Sequence, residues 1–318
     1  MQATDIATQP NTGLTKRSMR LMGNRFEISV ATEDVAWAHH TIHLAVQEIQ
    51  RIESLLTTFK DGSETNRINA NAGIAPVPVS IETLGLVQRS LKISSLTQGA
   101  FDISYGGIDK RFWNFDKTMT ALPDPVAGKR RIRLINYRNI IVNEKDSTIF
   151  LKEKGMRIGF GGIGKGYAAE KAKQLLQALG IKSGIVNASG DLTVWGTQPD
   201  GKPWTIGIAH PDLVGLPFSY LNISNMAIAT SGNYEKYVMI GGKKYSHTID
   251  PRTGFPVTGI KSVTIICANA EMADAMATPV TIMGIEAGLF LVNQLKGMGC
   301  IIIDDNNRIF TSNNIRLT

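Results

Sequence analysis

The chain has 318 residues, 43% of them hydrophobic and 19% charged, enough to bury a sizeable core and too apolar for a disordered or fibrous chain. A net charge of +7 favours anionic partners in general. The densest basic run, Lys129-Arg130-Arg131-Ile132-Arg133, has no interleaved aromatic residues, so it reads as a solvated loop or edge strand and no nucleic-acid partner is expected.

Residues 1–17 are polar and read as a loose segment, followed by one folded unit over 18–318. Residues 20–31 alternate as a first strand. Residues 34–59 form the strongest helix, with Ile42, Val46, Ile49, Ile52 and Leu56 at helical spacing and Asp34 as its cap. A second helix fits 81–97, ended by Gly99. Residues 103–135 are loop-rich. Short strands follow at 139–142, 148–152 and 156–158, then a helix at 167–179.

The later half repeats the mixture. Residues 184–186, 192–194, 204–208 and 227–230 are strand-like, and 233–240 with 243–247 flank Gly241-Gly242 as a hairpin. A strand at 263–268, helices at 273–283 and 286–295, and a hairpin of 301–304 with 308–311 close the chain. Antiparallel hairpins with interposed helices predict an α+β architecture rather than a parallel doubly wound sheet. Cys267 and Cys300 lack CxxC spacing and read as buried thiols. No apolar run reaches transmembrane length, and the polar start lacks the apolar core of a signal peptide; the chain is either cytosolic or has lost a targeting segment.

Gly159-Phe160-Gly161-Gly162-Ile163-Gly164-Lys165-Gly166 leads into a helix, an arrangement suited to a phosphate: small residues admit it, backbone amides meet it and Lys165 adds charge. It matches GxGxxG, but a hairpin precedes it and the next acid, Asp191, is too distant for a dinucleotide fold. It also matches GxxxxGK, but Gly166 stands where a P-loop needs Ser or Thr. His247 has an imidazole suited to general-base work beside Asp250 and Arg252, which read as turn-shaping groups. Asp274 and Thr278, four apart on one helix face, offer oxygen ligands to magnesium; an acidic residue near a helix start explains Asp274 equally well. Ala229-Thr230-Ser231-Gly232-Asn233-Tyr234 fits a ligand-binding strand end or an ordinary turn. His39, His40 and His43 read as helix-surface residues.

In order along the chain, eight marks resemble the ApbE family of FAD:protein FMN transferases. They are Met22-Gly23; Phe59 with Ser63-Glu64-Thr65-Asn66-Arg67-Ile68-Asn69; Gly99-Ala100-Phe101-Asp102; Gly161-Gly162-Ile163-Gly164-Lys165-Gly166-Tyr167; Asn187-Ala188-Ser189-Gly190-Asp191; Ala229-Thr230-Ser231-Gly232-Asn233-Tyr234; the segment from His247 through Thr248 to Gly254; and Ala273-Asp274-Ala275-Met276-Ala277-Thr278.

The resemblance implies a T-fold-like α+β protein that binds FAD and uses magnesium to move its FMN half onto a Ser or Thr hydroxyl of an acceptor protein, releasing AMP. By matching position, Met22, Phe59, Ala100, Phe101, Asp102, Lys165 and Thr248 would contact FAD. Asp274, Thr278 and the backbone at Gly162 would hold Mg2+, and His247 would act as base. It also implies work outside the cytoplasm at the inner membrane, residues 1–17 then following a removed signal and lipid anchor. Gly159-Phe160 replaces the family's usual Asp-Leu, Gly164 a common Ala, and Ala277 a second Asp of some members. An FAD pyrophosphatase and a non-catalytic FAD-binding protein are the alternatives.

Overall fold

A computed structural model describes residues 13–107, 132–209, 217–232, 237–241, 243–246 and 248–316. Among these, six α-helices and fifteen strands form an α+β fold in which every strand pairing is antiparallel.

The central sheet has eight strands. They are β1 (Leu14–Leu21), β2 (Asn24–Ala31), β6 (Gly184–Ala188), β7 (Asp191–Trp195), β10 (Met226–Gly232), β13 (Ile260–Cys267), β14 (Gly299–Asp304) and β15 (Ile309–Thr311), in that spatial order. Helices α1 (Val35–Leu56), α4 (Gly164–Ala178) and α5 (Ala270–Met283) cover one face. The hairpin of β8 (Trp204–Ala209) and β9 (Pro217–Ile223) covers part of the other, seating Trp204, Ile206 and Ile208 on Leu192, Val194, Ile228 and Ile266. Strand alternation explains the division: Leu192 and Val194 of β7 face the hairpin, while Trp195 joins the helix-side core. Strands β7 and β14 are buried along their whole length and β13 at all but one residue, as suits central strands covered on both faces.

The remaining elements flank this core. Helices α2 (Glu64–Ala70) and α3 (Ile81–Leu96) flank β3 (Val77–Pro78), which joins β5 (Thr148–Leu151) and β4 (Ile140–Asn143) in a small sheet. Strands β11 (Tyr237–Ile240) and β12 (Lys243–Ser246) form the expected hairpin, and α6 (Ile285–Gln294) follows α5. In α1 the five spaced apolar residues are all buried, and the Asp34 carboxylate accepts from the Trp37 amide at 2.8 Å. His39, His40 and His43 are exposed on α1, with His40 stacked on Trp37. Both cysteines are free and buried.

Several expectations need correction. Residues 20–31 are not one strand: Met22 and Gly23, with φ of 50° and 72°, turn the chain so that β1 and β2 form a hairpin. Strand β1 begins at Leu14, inside the segment read as loose. Residues 156–158 are not a strand. There the Asn69 side chain takes a neighbouring strand's place, accepting from the Ile158 amide at 2.7 Å and donating to its carbonyl at 3.0 Å. Helix α4 starts three residues earlier than expected, inside the glycine-rich segment. The first three residues of the basic run at 129–133 lie outside the described residues, as do 233–236.

Candidate active site

The glycine-rich segment ends at the N-terminus of α4. Its N-cap, Ile163, has no side-chain oxygen to offer the first-turn amides. The neighbouring helix supplies one: Asp274 of α5 accepts from the Gly166 amide at 2.8 Å, and the Lys165 amide also donates to it. This contact requires glycine at 166. A Cβ there would lie 2.2 Å from the Ala270 carbonyl oxygen and 2.6 Å from the Asp274 Cβ. The residue that spoils the P-loop pattern is therefore where two helix backbones meet.

Asp274 is buried, and a second carboxylate, Asp191, lies close enough to repel it. Burial first, then the Asp191 charge, pushes the Asp274 carboxyl up to about 7, against the opposing pull of Lys165 and the two amides. Asp191 begins β7 just after the tight turn at Ser189 and Gly190, and forms an ion pair with Lys165. Its other oxygen accepts from the Thr230 amide at 3.3 Å. The Lys165 and Asp191 side chains are 26% and 5% exposed, so the carboxylate is buried and the lysine only partly covered.

The expected flavin-contacting residues divide into two groups. Met22, at the β1–β2 turn, sends its terminal methyl to 3.6 Å from the Cβ position of Gly164, and the Phe101 ring lies 3.6 Å from that of Gly162. Ala100 and Phe101 are buried just beyond α3, where the Phe101 amide donates to the Thr97 hydroxyl at 3.0 Å. Met22 and Phe101 therefore pack against the glycine-rich segment that carries Lys165. Phe59 is 96% exposed, one residue from Thr58, whose methyl lies 4.0 Å from the Cβ position of Gly159. It is an unpacked aromatic face beside the segment.

Asp102 and Thr248 are held by their own surroundings. Asp102 accepts from the Ser104 amide and hydroxyl and from the Tyr137 amide at 2.6–2.8 Å, while burial pushes its carboxyl up. Thr248 is buried, donates its amide to the Ser246 hydroxyl at 2.9 Å and accepts from the Val257 amide at 2.9 Å. Asp250 accepts from the backbone amide and guanidinium of Arg252, all at 2.9 Å, which confirms both as turn-shaping groups. His247 lies outside the described residues.

The donor set suits a hard divalent cation. Asp274 and Asp191 place two buried carboxylates against one lysine, and Thr278 lies half-buried one turn after Asp274. Gly162 sits two residues ahead of α4. Among the described residues no three His, Cys, Asp or Glu side chains converge as metal ligands. Asp191 was missed as a site residue because its sequence context, after Ser189-Gly190, is that of an ordinary turn; only the fold brings it to Lys165.

The ApbE family model matches residues 22–302. A FAD:protein FMN transferase of Treponema pallidum (strain Nichols) is 31% identical over 290 residues, covering 85% of this chain and 80% of that protein. One from Klebsiella pneumoniae (strain 342) is 30% identical over 300 residues, covering 93% and 91%. Among solved structures, the ApbE protein of Thermotoga maritima is similar with a TM-score of 0.85 at 27% identity, covering 94% of this chain and 97% of that one. The flavin transferase ApbE from Vibrio cholerae gives 0.83 at 24% identity, a likeness of fold.

Proposed function

The chain belongs to the ApbE family, and we propose that it transfers the FMN half of FAD to a Ser or Thr hydroxyl of an acceptor protein, releasing AMP. The observation that carries this reading is the charged cluster of Lys165, Asp191 and Asp274 at the N-terminus of α4, beside a glycine-rich segment that is open at Gly161. Relatives over nearly the whole chain length named FAD:protein FMN transferase support it.

In the proposed reaction the acceptor oxygen attacks the FMN-side phosphorus of FAD. A phosphoester bond forms, the pyrophosphate P–O bond to the AMP half breaks, and AMP leaves. Phosphoryl chemistry of this kind depends mainly on positioning and neutralisation of charge. Lys165, oriented by its ion pair with Asp191, is the side-chain cation offered to the pyrophosphate. Met22, Phe59, Ala100, Phe101, Asp102 and Thr248 hold the rest of the dinucleotide. His247 takes the proton of the attacking hydroxyl. Asp274 and Thr278, with the backbone at Gly162, would hold magnesium, which supplies Lewis-acid neutralisation of the phosphate oxygens when bound. The working location we propose from the family is outside the cytoplasm, at the inner membrane.

Incubation with FAD, Mg2+ and a candidate acceptor tests the reading. Gain of one FMN mass on the acceptor supports it. AMP and free FMN without a labelled acceptor would make the protein a pyrophosphatase, and tight FAD binding with neither product would make it a carrier.

A further inference from the structure

Resting on the function just proposed, we infer that Glu170 is a positioning residue for the cation and phosphate site, acting on Asp274 through the N-terminus of α5. Glu170 lies on α4, one turn after Gly166, and is buried. One of its oxygens accepts from the Ala270 amide, the first of α5, at 3.0 Å. The other pairs with Lys173 at 2.6 Å, and Lys173 is also buried.

The two helices therefore exchange capping carboxylates. Asp274 of α5 caps the start of α4 at Gly166, and Glu170 of α4 caps the start of α5 at Ala270. Each carboxylate lies one turn from the amide its own helix exposes. Asn269 meets the Met272 amide at 3.0 Å, which leaves the Ala270 amide to Glu170.

This exchange matters because α4 and α5 meet backbone to backbone at Gly166 and Ala270. The missing side chain at Gly166 lets the two backbones approach closely there. The two hydrogen bonds fasten the helices at that approach, and Asp274 makes one of them. Without the Glu170 bond, the first turn of α5 is held to α4 by the Asp274 carboxylate, the same group that is to face the cation. A buried Glu–Lys pair is weak evidence for stability in itself. Its consequence here is geometric: Lys173 fixes the Glu170 carboxylate, which fixes α5, which places Asp274 relative to Lys165 and Asp191.

Two double variants separate positioning from bulk stability, both removing the Glu170–Lys173 charge pair so that no buried lysine is stranded. Glu170→Gln with Lys173→Met keeps an oxygen for the Ala270 amide; Glu170→Leu with Lys173→Met removes it at similar volume. Mn2+ serves as the probe, titrated with FAD present and acceptor absent and followed by electron paramagnetic resonance. Asp274→Asn identifies the signal by abolishing it, and thermal melts run in parallel.

The glutamine variant is expected to bind Mn2+ within about 3-fold of wild type and the leucine variant at least about 10-fold more weakly, for a displaced ligand shell. The Mg2+ concentration for half-maximal FMN transfer should rise by the same factor, with kcat recovered at saturating Mg2+. Equal Mn2+ affinity in the two double variants overturns the inference, whatever their melting temperatures. An unfolded leucine variant beside a folded glutamine variant also overturns it, since the bond would then be a requirement of the fold. Absence of Mn2+ binding by the wild type would remove the proposed metal site and the inference with it, whereas wild-type binding unchanged by the leucine variant removes the inference alone.

Discussion

Lys165 is paired with Asp191, a carboxylate that enters the site from the first residue of β7. The lysine that the glycine-rich segment carries toward a phosphate is thus already oriented before any substrate arrives, and its partner adds negative charge beside Asp274. Asp191→Asn should release Lys165 and weaken the cation site together. Transfer is expected to fall by about 100-fold, the scale of losing one preorganised charge contact. A Lys165→Met, Asp191→Asn cycle should be strongly non-additive. Steady-state rates of the four proteins check this; additive effects would mean that the pair does not act as a unit.

Two glycines only five residues apart should respond differently to alanine. At Gly166 the added methyl meets the Ala270 carbonyl and Asp274, and one helix must move. At Gly161 nothing lies within 4 Å. Gly166→Ala is expected to cost roughly 1–3 kcal/mol of stability, whereas Gly161→Ala should stay within about 0.5 kcal/mol and weaken FAD binding by crowding the phosphate path. Denaturant melts with FAD titrations distinguish the two.

The raised Asp274 carboxyl makes the metal-free fold sensitive to pH. The fold favours protonated Asp274, so stability falls as pH rises above the ordinary aspartate value of 3.8, and the loss is complete above about 7. A cation on Asp274 offsets that loss. Melting temperature should therefore rise more on adding Mg2+ at pH 8 than at pH 5, and the difference should vanish in Asp274→Asn. An equal Mg2+ effect at both pH values would place the cation elsewhere.

Phe59 makes a contrasting case, since its ring is almost fully exposed. Phe59→Ala should leave the melting temperature unchanged. It should raise KM for FAD about 2- to 10-fold, the range of ~0.5–1.5 kcal/mol for an aromatic contact. An unchanged KM would remove Phe59 from the flavin site.

Much of this was legible in the sequence where a local signal sufficed. Helix α1 showed in its spacing, β13 and β14 in their apolar runs, and Asp274 with Thr278 in four-residue separation on one helix. What stayed hidden depended on tertiary partners or short elements. Met22 takes a left-handed conformation inside an alternating stretch, which concealed the β1–β2 turn. Strand β9 carries Pro217, Ser219 and Asn222 and lacks a clean apolar alternation. Helix α2 is only seven residues long. The partners of Asp191 and Glu170 are 26 and 100 residues away in the chain, beyond the reach of any motif.

The central claim is tested most directly by the intact mass of an acceptor protein after incubation with FAD and Mg2+, measured for wild type and for His247→Ala alongside AMP release. Wild type is expected to add one FMN per acceptor with one AMP released, and His247→Ala to bind FAD with unchanged affinity while leaving the acceptor unmodified. Release of AMP with an unlabelled acceptor, or undiminished labelling by His247→Ala, would contradict the account.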